Sequence, residues 1–288
     1  MKTIFGIRKI IYKILGLFFT FALMRKFKNF YFLVLFYLLV FASAPAQTRF
    51  THEVGFFLGT GSVQTDYGAR NQFSSTFGNF GVALGGIHYL SFFKSNWERP
   101  YFADHFKIRT ELSYMSNKFK HHGKFVDPKK TSQLAVELRA MHGGNRMFNI
   151  GSQLEYYFNS FYEQEMRLFE DYNFNFNPYL SVGFQFNFFK PWVVSDLGDF
   201  HQDITVLPDK WQLPGGIFES RGTTYSFTIG GGTRYRINED WEAVIDGRFQ
   251  HFFSNKVDGL NAPVEENKNR EWMVFVNVGL VYHIPFRF

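Results

Sequence analysis

The chain has no cysteine. Disulfide staples, thiolate metal sites and a lipid-modified N-terminal cysteine are thereby excluded. Beyond residue 47 no run approaches about 18 consecutive apolar residues, so a membrane-spanning helix is excluded from that part. A basic excess is also missing once the N-terminus is set aside. Residues 1–46 hold seven of the 31 basic residues (Lys2, Arg8, Lys9, Lys13, Arg25, Lys26, Lys28) and no acid, leaving 24 against 25 acids, a net of −1. Nucleic-acid binding loses its electrostatic support.

Aromatic residues are what the chain has in quantity. Phe, Tyr and Trp number 40, 15 and 5, or 21% of the chain, yet mean hydropathy is −0.18. An aromatic-rich chain that is not hydrophobic overall fits a barrel with lipid outside and polar groups inside.

The N-terminus reads as a secretory signal. Arg25, Lys26 and Lys28 precede an apolar stretch from Phe30 to Phe41, followed by Ala44-Pro45-Ala46-Gln47. Charged, apolar and small-residue regions in that order place cleavage before Gln47. The expected division is a signal peptide at 1–46 and a barrel domain at 47–288, with Met24 an alternative start. The apolar Ile10–Leu23 stretch keeps an uncleaved anchor as the alternative.

From there the hydrophobic period is two, the mark of a strand with two unlike faces. In Phe106–Tyr114, Phe106, Ile108, Thr110, Leu112 and Tyr114 oppose Lys107, Arg109, Glu111 and Ser113. The same split recurs in Phe148–Phe158, Leu180–Phe188, Thr223–Ile237 and Trp241–Phe249, and more weakly in His52–Gly59 and Asn79–Tyr89. Trp272–Phe288 is the most regular: Tyr282, Ile284, Phe286 and Phe288 continue one apolar face. By resemblance to Gram-negative barrels this is a terminal strand for the assembly machinery, with interfacial anchoring of Phe286 and Phe288 as the alternative. The expected fold is an antiparallel up-and-down transmembrane barrel of eight strands, like the small OmpA-type barrels, with ten strands as the fallback. Segments 60–78, 119–146, 189–222 and 255–271 become long extracellular loops, and Asn238-Glu239-Asp240 a short periplasmic turn. The connections 93–104 and 160–173 are long for that side.

Alternation sends Lys107, Arg109, Glu111, Glu155, Arg234, Arg236, Glu242, Asp246 and Arg248 into the lumen. Nearly balanced charge in a narrow barrel predicts a plug of salt bridges. A charge-lined channel is the alternative.

Catalytic and metal motifs are weak. Asp196, Asp199 and Asp203 near His201 match no calcium-loop spacing. His121, His122 and His142 could serve a metal or a base, but no G-x-S-x-G accompanies them. Gly59 and Gly61 lack a third glycine, Gln64 standing in its place, and Gly230-Gly231-Gly232 lies inside a strand. Ser132–His142 has the composition of a short loop helix. The expectation is a non-enzyme with no cofactor and no metal. An outer-leaflet lipid enzyme is the alternative.

The opening Gln47-Thr48-Arg49-Phe50-Thr51-His52-Glu53-Val54-Gly55 resembles the start of outer-membrane barrels of Bacteroidota. His105–Glu111, Ile150–Tyr157 and Phe252–Asn261 resemble an uncharacterised flavobacterial barrel family, itself distantly similar to the PorG barrel of type IX secretion. The expectation is a monomer in the cell outer membrane, with outer-membrane lipid, the assembly machinery and an envelope or secretion protein as partners. The resemblance brings no catalytic residues.

Overall fold

The computed structural model describes residues 49–68, 72–93, 100–161, 176–264 and 270–284. The expected signal peptide, Phe286 and Phe288 lie outside these residues. Eight strands form a closed barrel in which each pairs antiparallel with its neighbours in sequence: β1 (Arg49–Gln64), β2 (Phe80–Phe93), β3 (Phe106–Lys120), β4 (Met141–Tyr157), β5 (Phe176–Ser195), β6 (Gly222–Arg236), β7 (Trp241–Phe252) and β8 (Trp272–His283). The ten-strand fallback is not needed. β8 closes on β1 in a continuous register from Glu53↔His283 to Gln64↔Trp272. Closure leaves no backbone edge unpaired, the condition for a sheet to sit in hydrocarbon. Among the described residues no helix is long and apolar enough to cross a membrane; strands make the crossing.

The two faces follow the sequence alternation. Outward positions carry exposed apolar side chains all round the barrel, for example Leu84, Leu112, Phe184, Ile229, Ile245 and Val278. In water so large an apolar surface would drive aggregation; in a bilayer it is the lipid-facing belt. Aromatic rings collect near the end that carries the short turn. Phe102 stacks on Phe106, Phe106 meets Tyr156, Phe176 meets Tyr235, and Trp241 meets Tyr282 at 5.1 Å between ring centres. At the other end Phe148 meets Phe188, Phe186 meets Tyr225 and Phe249 meets Trp272. Two girdles flanking an apolar band place the barrel across an outer membrane.

The tight turn before β7 forms as expected. The Asn238 side chain accepts hydrogen bonds from the backbone N–H groups of Asp240 and Trp241, closing the link in the fewest residues. That end is periplasmic and the long loops are extracellular. The expected loop helix is present as Gln133–Ala140.

Several strands run further than the apolar pattern indicates. β1 continues past Gly59 to Gln64, and residues 141–146, expected in a loop, are ladder positions of β4. Above the lipid the outward face meets water. Thr60, Ser62, Lys118 and Lys120 therefore sit on outward rungs, and the backbone pairing continues without the hydrophobic signal.

Candidate functional site

Eight of the nine predicted lumen residues are buried inside the barrel: Lys107, Arg109, Glu111, Glu155, Arg234, Glu242, Asp246 and Arg248. The ninth, Arg236, is not among them. It stands half-exposed at the periplasmic rim with Nη2 3.5 Å from the Glu239 carbonyl of the adjacent turn. Being the last residue of β6, it has left the barrel interior before alternation can bury it.

The buried set forms two linked tiers. In the periplasmic tier Glu53 accepts from Lys107 Nζ at 2.6 Å and from Arg234 Nη2 at 2.5 Å. Arg234 Nε lies 2.6 Å from Glu242, a charge contact not aligned as a hydrogen bond. His283, at the rim, lies 3.4 Å from Glu53 and 3.1 Å from Glu242. In the central tier Arg109 reaches Asp246 at 2.8 Å, Glu111 at 3.0 Å and Glu155 at 3.5 Å. Arg248 binds Glu111 through both Nη atoms, at 3.1 and 2.9 Å. Asn277 donates to Asp246 at 2.6 Å. Tyr157 joins the tiers, donating to Glu155 and accepting from Arg234 Nη1. Arg234 also stacks over the Tyr89 ring, 4.5 Å from its centre.

Five carboxylates (Glu53, Glu111, Glu155, Glu242, Asp246) thus face four strong cations (Lys107, Arg109, Arg234, Arg248), with His283 beside the two outermost acids. In a low-dielectric interior such charges are tolerable only if each is paired and hydrogen-bonded. Glu53 escapes the sequence reading because β1 alternates weakly, although it is the inward neighbour of Val54 and extending the period one position finds it.

Small residues make room for these long side chains. Gly85 has the Phe57 ring against it, where an added Cβ would lie 2.5 Å away, and at Gly59 a Cβ would collide with Asn277 Oδ1. Above the charged tiers come amides and hydroxyls: Asn149 donates to Ser113, Asn117 to Asn145, and Gln250 to both Asn187 and Ser226. A cavity lined by Phe57, Glu111, Asn149, Gln185, Arg248 and Asn277 has space for about one water molecule.

The outer mouth is covered by its own loops. Trp211 and Leu207, from the β5–β6 loop, and Val257 and Leu260, from the β7–β8 loop, are fully buried with Tyr67, Phe119, Phe189 and Met273. The two loops join where Phe218 N–H donates to Gly259 and Asn261 N–H donates to Gly216. Gly259 sits at φ +90°, a conformation that favours glycine, and Asn145 in the barrel wall donates to the Val257 carbonyl. Nothing in the residue pattern signals this cap, because nonpolar loop residues with no period announce no partner.

The loop acids Asp196, Asp199 and Asp203, whose spacing matches no calcium loop, do not converge on one point. Asp199 accepts from the His201 backbone, Asp203 from the Thr205 backbone and hydroxyl, and Asp196 lies 3.8 Å from His142. Those hydrogen bonds from Thr205 hold the exposed Asp203 carboxyl below its ordinary range. A different trio gathers under the cap: Asp66, Asp258 and Glu271, all buried, each with a carboxylate oxygen within 4.8 Å of the others. Asp258 is engaged in fastening loops, accepting from the Asp66 and Leu260 backbone N–H groups.

The histidines divide. His121 is buried, its Nδ1 accepting from Gly68 N–H, and burial with Lys210 and His122 nearby holds it down to about 3, so the ring is neutral. His122 packs against Gly78, whereas His142 is part of the rim contact with Asp196.

No protein-family profile and no curated protein matches the sequence. Solved structures similar to it include outer-membrane barrels. Among these is a major outer membrane protein of Thermus thermophilus (10% identity, covering 81% of this chain and 99% of that one, TM-score 0.43). Neisserial surface protein A is another (11%, 81% and 97%, 0.40), as is Ail, the attachment invasion locus protein of Yersinia pestis (10%, 82% and 99%, 0.39). No activity or partner is carried over from them. On its own closed ladder and lipid-facing belt, this chain is an eight-stranded outer-membrane β-barrel.

Proposed function

We propose that the protein is a non-catalytic, monomeric barrel with a sealed lumen, serving as a structural or interaction element of the cell envelope. One observation carries this reading: the interior is occupied by the paired charges between Glu53 and Arg248 and by the amides and hydroxyls around Gln250, and is then covered by the cap built on Trp211 and Leu260. A conducting pore needs a continuous water column, and a rim hydrolase needs an accessible nucleophile beside a base. The capped mouth and the engaged His121 support neither.

Residues 1–46 act in this reading as a signal peptide removed before Gln47. The resemblance to a flavobacterial barrel family that is itself distantly similar to PorG supports a role in tethering an envelope or secretion complex. Barrel-assembly machinery would insert the chain.

Planar-bilayer recording of the purified protein tests the seal, and co-purification from native membranes tests the tether. The reading expects no unitary current steps, no lipid turnover, a mature N-terminus at Gln47 and a stoichiometric envelope protein in the eluate. Steady conductance steps from wild-type protein would defeat it in favour of a diffusion channel. Release of fatty acids from outer-leaflet lipid would defeat it in favour of an enzyme.

A further inference from the structure

On one part of the outer wall, just above the apolar belt, exposed cations gather on neighbouring strands. Arg146 on β4 pairs in register with Lys190 on β5 and with Ser116 on β3, and two positions beyond Ser116 stands Lys118. Arg221 immediately precedes β6, whose ladder with β5 begins at Phe189↔Gly222. All four side chains are exposed, and those on the strands occupy outward positions. The next outward row toward the membrane is Tyr114, Phe148 and Phe188, the upper margin of the apolar belt.

Neighbouring strands are about 4.8 Å apart, so these charges crowd one patch. Among the described residues none of the four has an ion-pair partner. The acids above them are occupied: Asp196 lies beside His142, while Glu219 pairs with His201 and accepts from Val193 N–H. At the centre Gly144 has no side chain, and the Trp192 ring lies against it, where an added Cβ would be 2.8 Å away. Lys118 and Trp192 flank Gly144 on either side in the ladder. Trp192 stands one outward row farther from the belt than Arg146 and Lys190, at headgroup height rather than against hydrocarbon.

We infer that Lys118, Arg146, Lys190 and Arg221, set around Trp192, form a binding surface for the phosphate-bearing headgroups of outer-leaflet lipid. The chemistry is that of a divided anion. An Arg fork takes two phosphate oxygens, ammonium groups supply point charges beside it, and the indole walls the headgroup on the side away from the bilayer. Lipid is favoured over a free anion because the patch is continuous with the belt, so a ligand seated there has its chains against Phe148 and Phe188. The inference rests on the barrel being membrane-embedded, and its test separates the two.

The full-length mature protein is inserted into phosphatidylcholine vesicles containing either bisphosphorylated lipid A or its dephosphorylated form. It is then extracted in mild detergent, and retained glycolipid is weighed by native mass spectrometry. Wild type should retain the phosphorylated form, and the dephosphorylated form several-fold less. A quadruple variant, Lys118→Gln, Arg146→Gln, Lys190→Gln and Arg221→Gln, should lose that preference while keeping the heat-sensitive gel mobility of a folded barrel. A loop variant, Lys124→Gln, Lys129→Gln and Lys130→Gln, should keep it. Should the quadruple variant not fold, Arg146→Gln and Lys190→Gln read singly, each lowering retention. Equal retention of both lipids by inserted wild type overturns the inference and leaves the membrane reading standing, whereas failure to insert overturns both. Displacement of the lipid by inorganic phosphate at equal phosphate concentration overturns it too, assigning the patch to free anions.

Discussion

Glu53 on the first strand and Arg234 on the sixth are 181 positions apart in sequence and meet at 2.5 Å in the barrel interior. Glu53 also holds Lys107, so it is shared by two cations that have no water to turn to. Glu53→Gln should therefore destabilise the folded barrel by about 3–5 kcal/mol, the cost of stranding a buried charge. Replacing Glu53 by Gln and Arg234 by Met together should cost less than the single change. Arg236→Gln, at the rim, should fall within about 0.5 kcal/mol of wild type. Urea unfolding of vesicle-inserted protein, followed by tryptophan fluorescence, measures all three. An unchanged midpoint for Glu53→Gln would remove the pair from the stability argument.

The two faces of β3 should respond oppositely to charge. Leu112→Arg and Ile108→Arg put a cation into hydrocarbon and should cost about 2–4 kcal/mol near the bilayer midplane. Arg109→Ala exposes nothing to lipid and instead leaves Asp246 and Glu155 without their main cation. Insertion yield should fall for the first pair, while for Arg109→Ala the inserted barrel should unfold faster. Full yield and stability with Arg at both lipid-facing positions would contradict the assignment of faces.

The cap should be separable from the barrel. Trp211→Ala removes a fully buried indole at a typical cost of about 3–5 kcal/mol. That loss falls on the loop layer, while the strand ladders keep every hydrogen bond. Limited proteolysis from outside should cut within 196–221 and 253–271 in the variant, with the barrel fragment still heat-modifiable on gels. If the variant resists protease like wild type, Trp211 does not hold the cap.

Acid should loosen the same layer first. Burial, and then Lys210 and His122, hold His121 down to about 3 in the folded protein; the Tyr67 ring lies tilted beside it, 5.0 Å between ring centres. The unfolded loop binds its proton near 6.5, so between those values it holds more protons than the folded one. This contribution to stability is complete above about 6.5 and is lost as pH falls toward 3. Loop protection against protease should decline through that window in wild type and decline less in His121→Gln. Equal pH profiles for the two would contradict it.

Much of the barrel is legible in the chain because lipid and lumen impose opposite demands at every second residue. Arg109, Glu111, Asp246 and Arg248 can be placed inside from local alternation alone. Which of them touch cannot, since Arg109 and Asp246 are 137 positions apart and only closure brings them together. Strand ends depart from the apolar pattern where that signal stops but hydrogen bonding does not, as at Lys118–Lys120 and 141–146. The cap is invisible for a related reason: Trp211 and Leu260 follow no period, and their partners lie in other loops.

The strands are unequal, with 20 residues in β5 and 12 in β7. At about 3.4 Å per residue and a tilt of about 40°, β5 spans roughly 50 Å, twice the roughly 25 Å apolar band. The surplus stands above the bilayer as a rigid palisade on one side of the molecule. Along it, inner residues such as Met147 and Phe189 are locked by packing, and outer ones such as Lys120 and Val194 answer only to solvent. An antibody or phage meeting this cell would read a surface half of whose letters can be rewritten at no cost to folding, so immune or viral pressure can change the face of the protein without touching its frame.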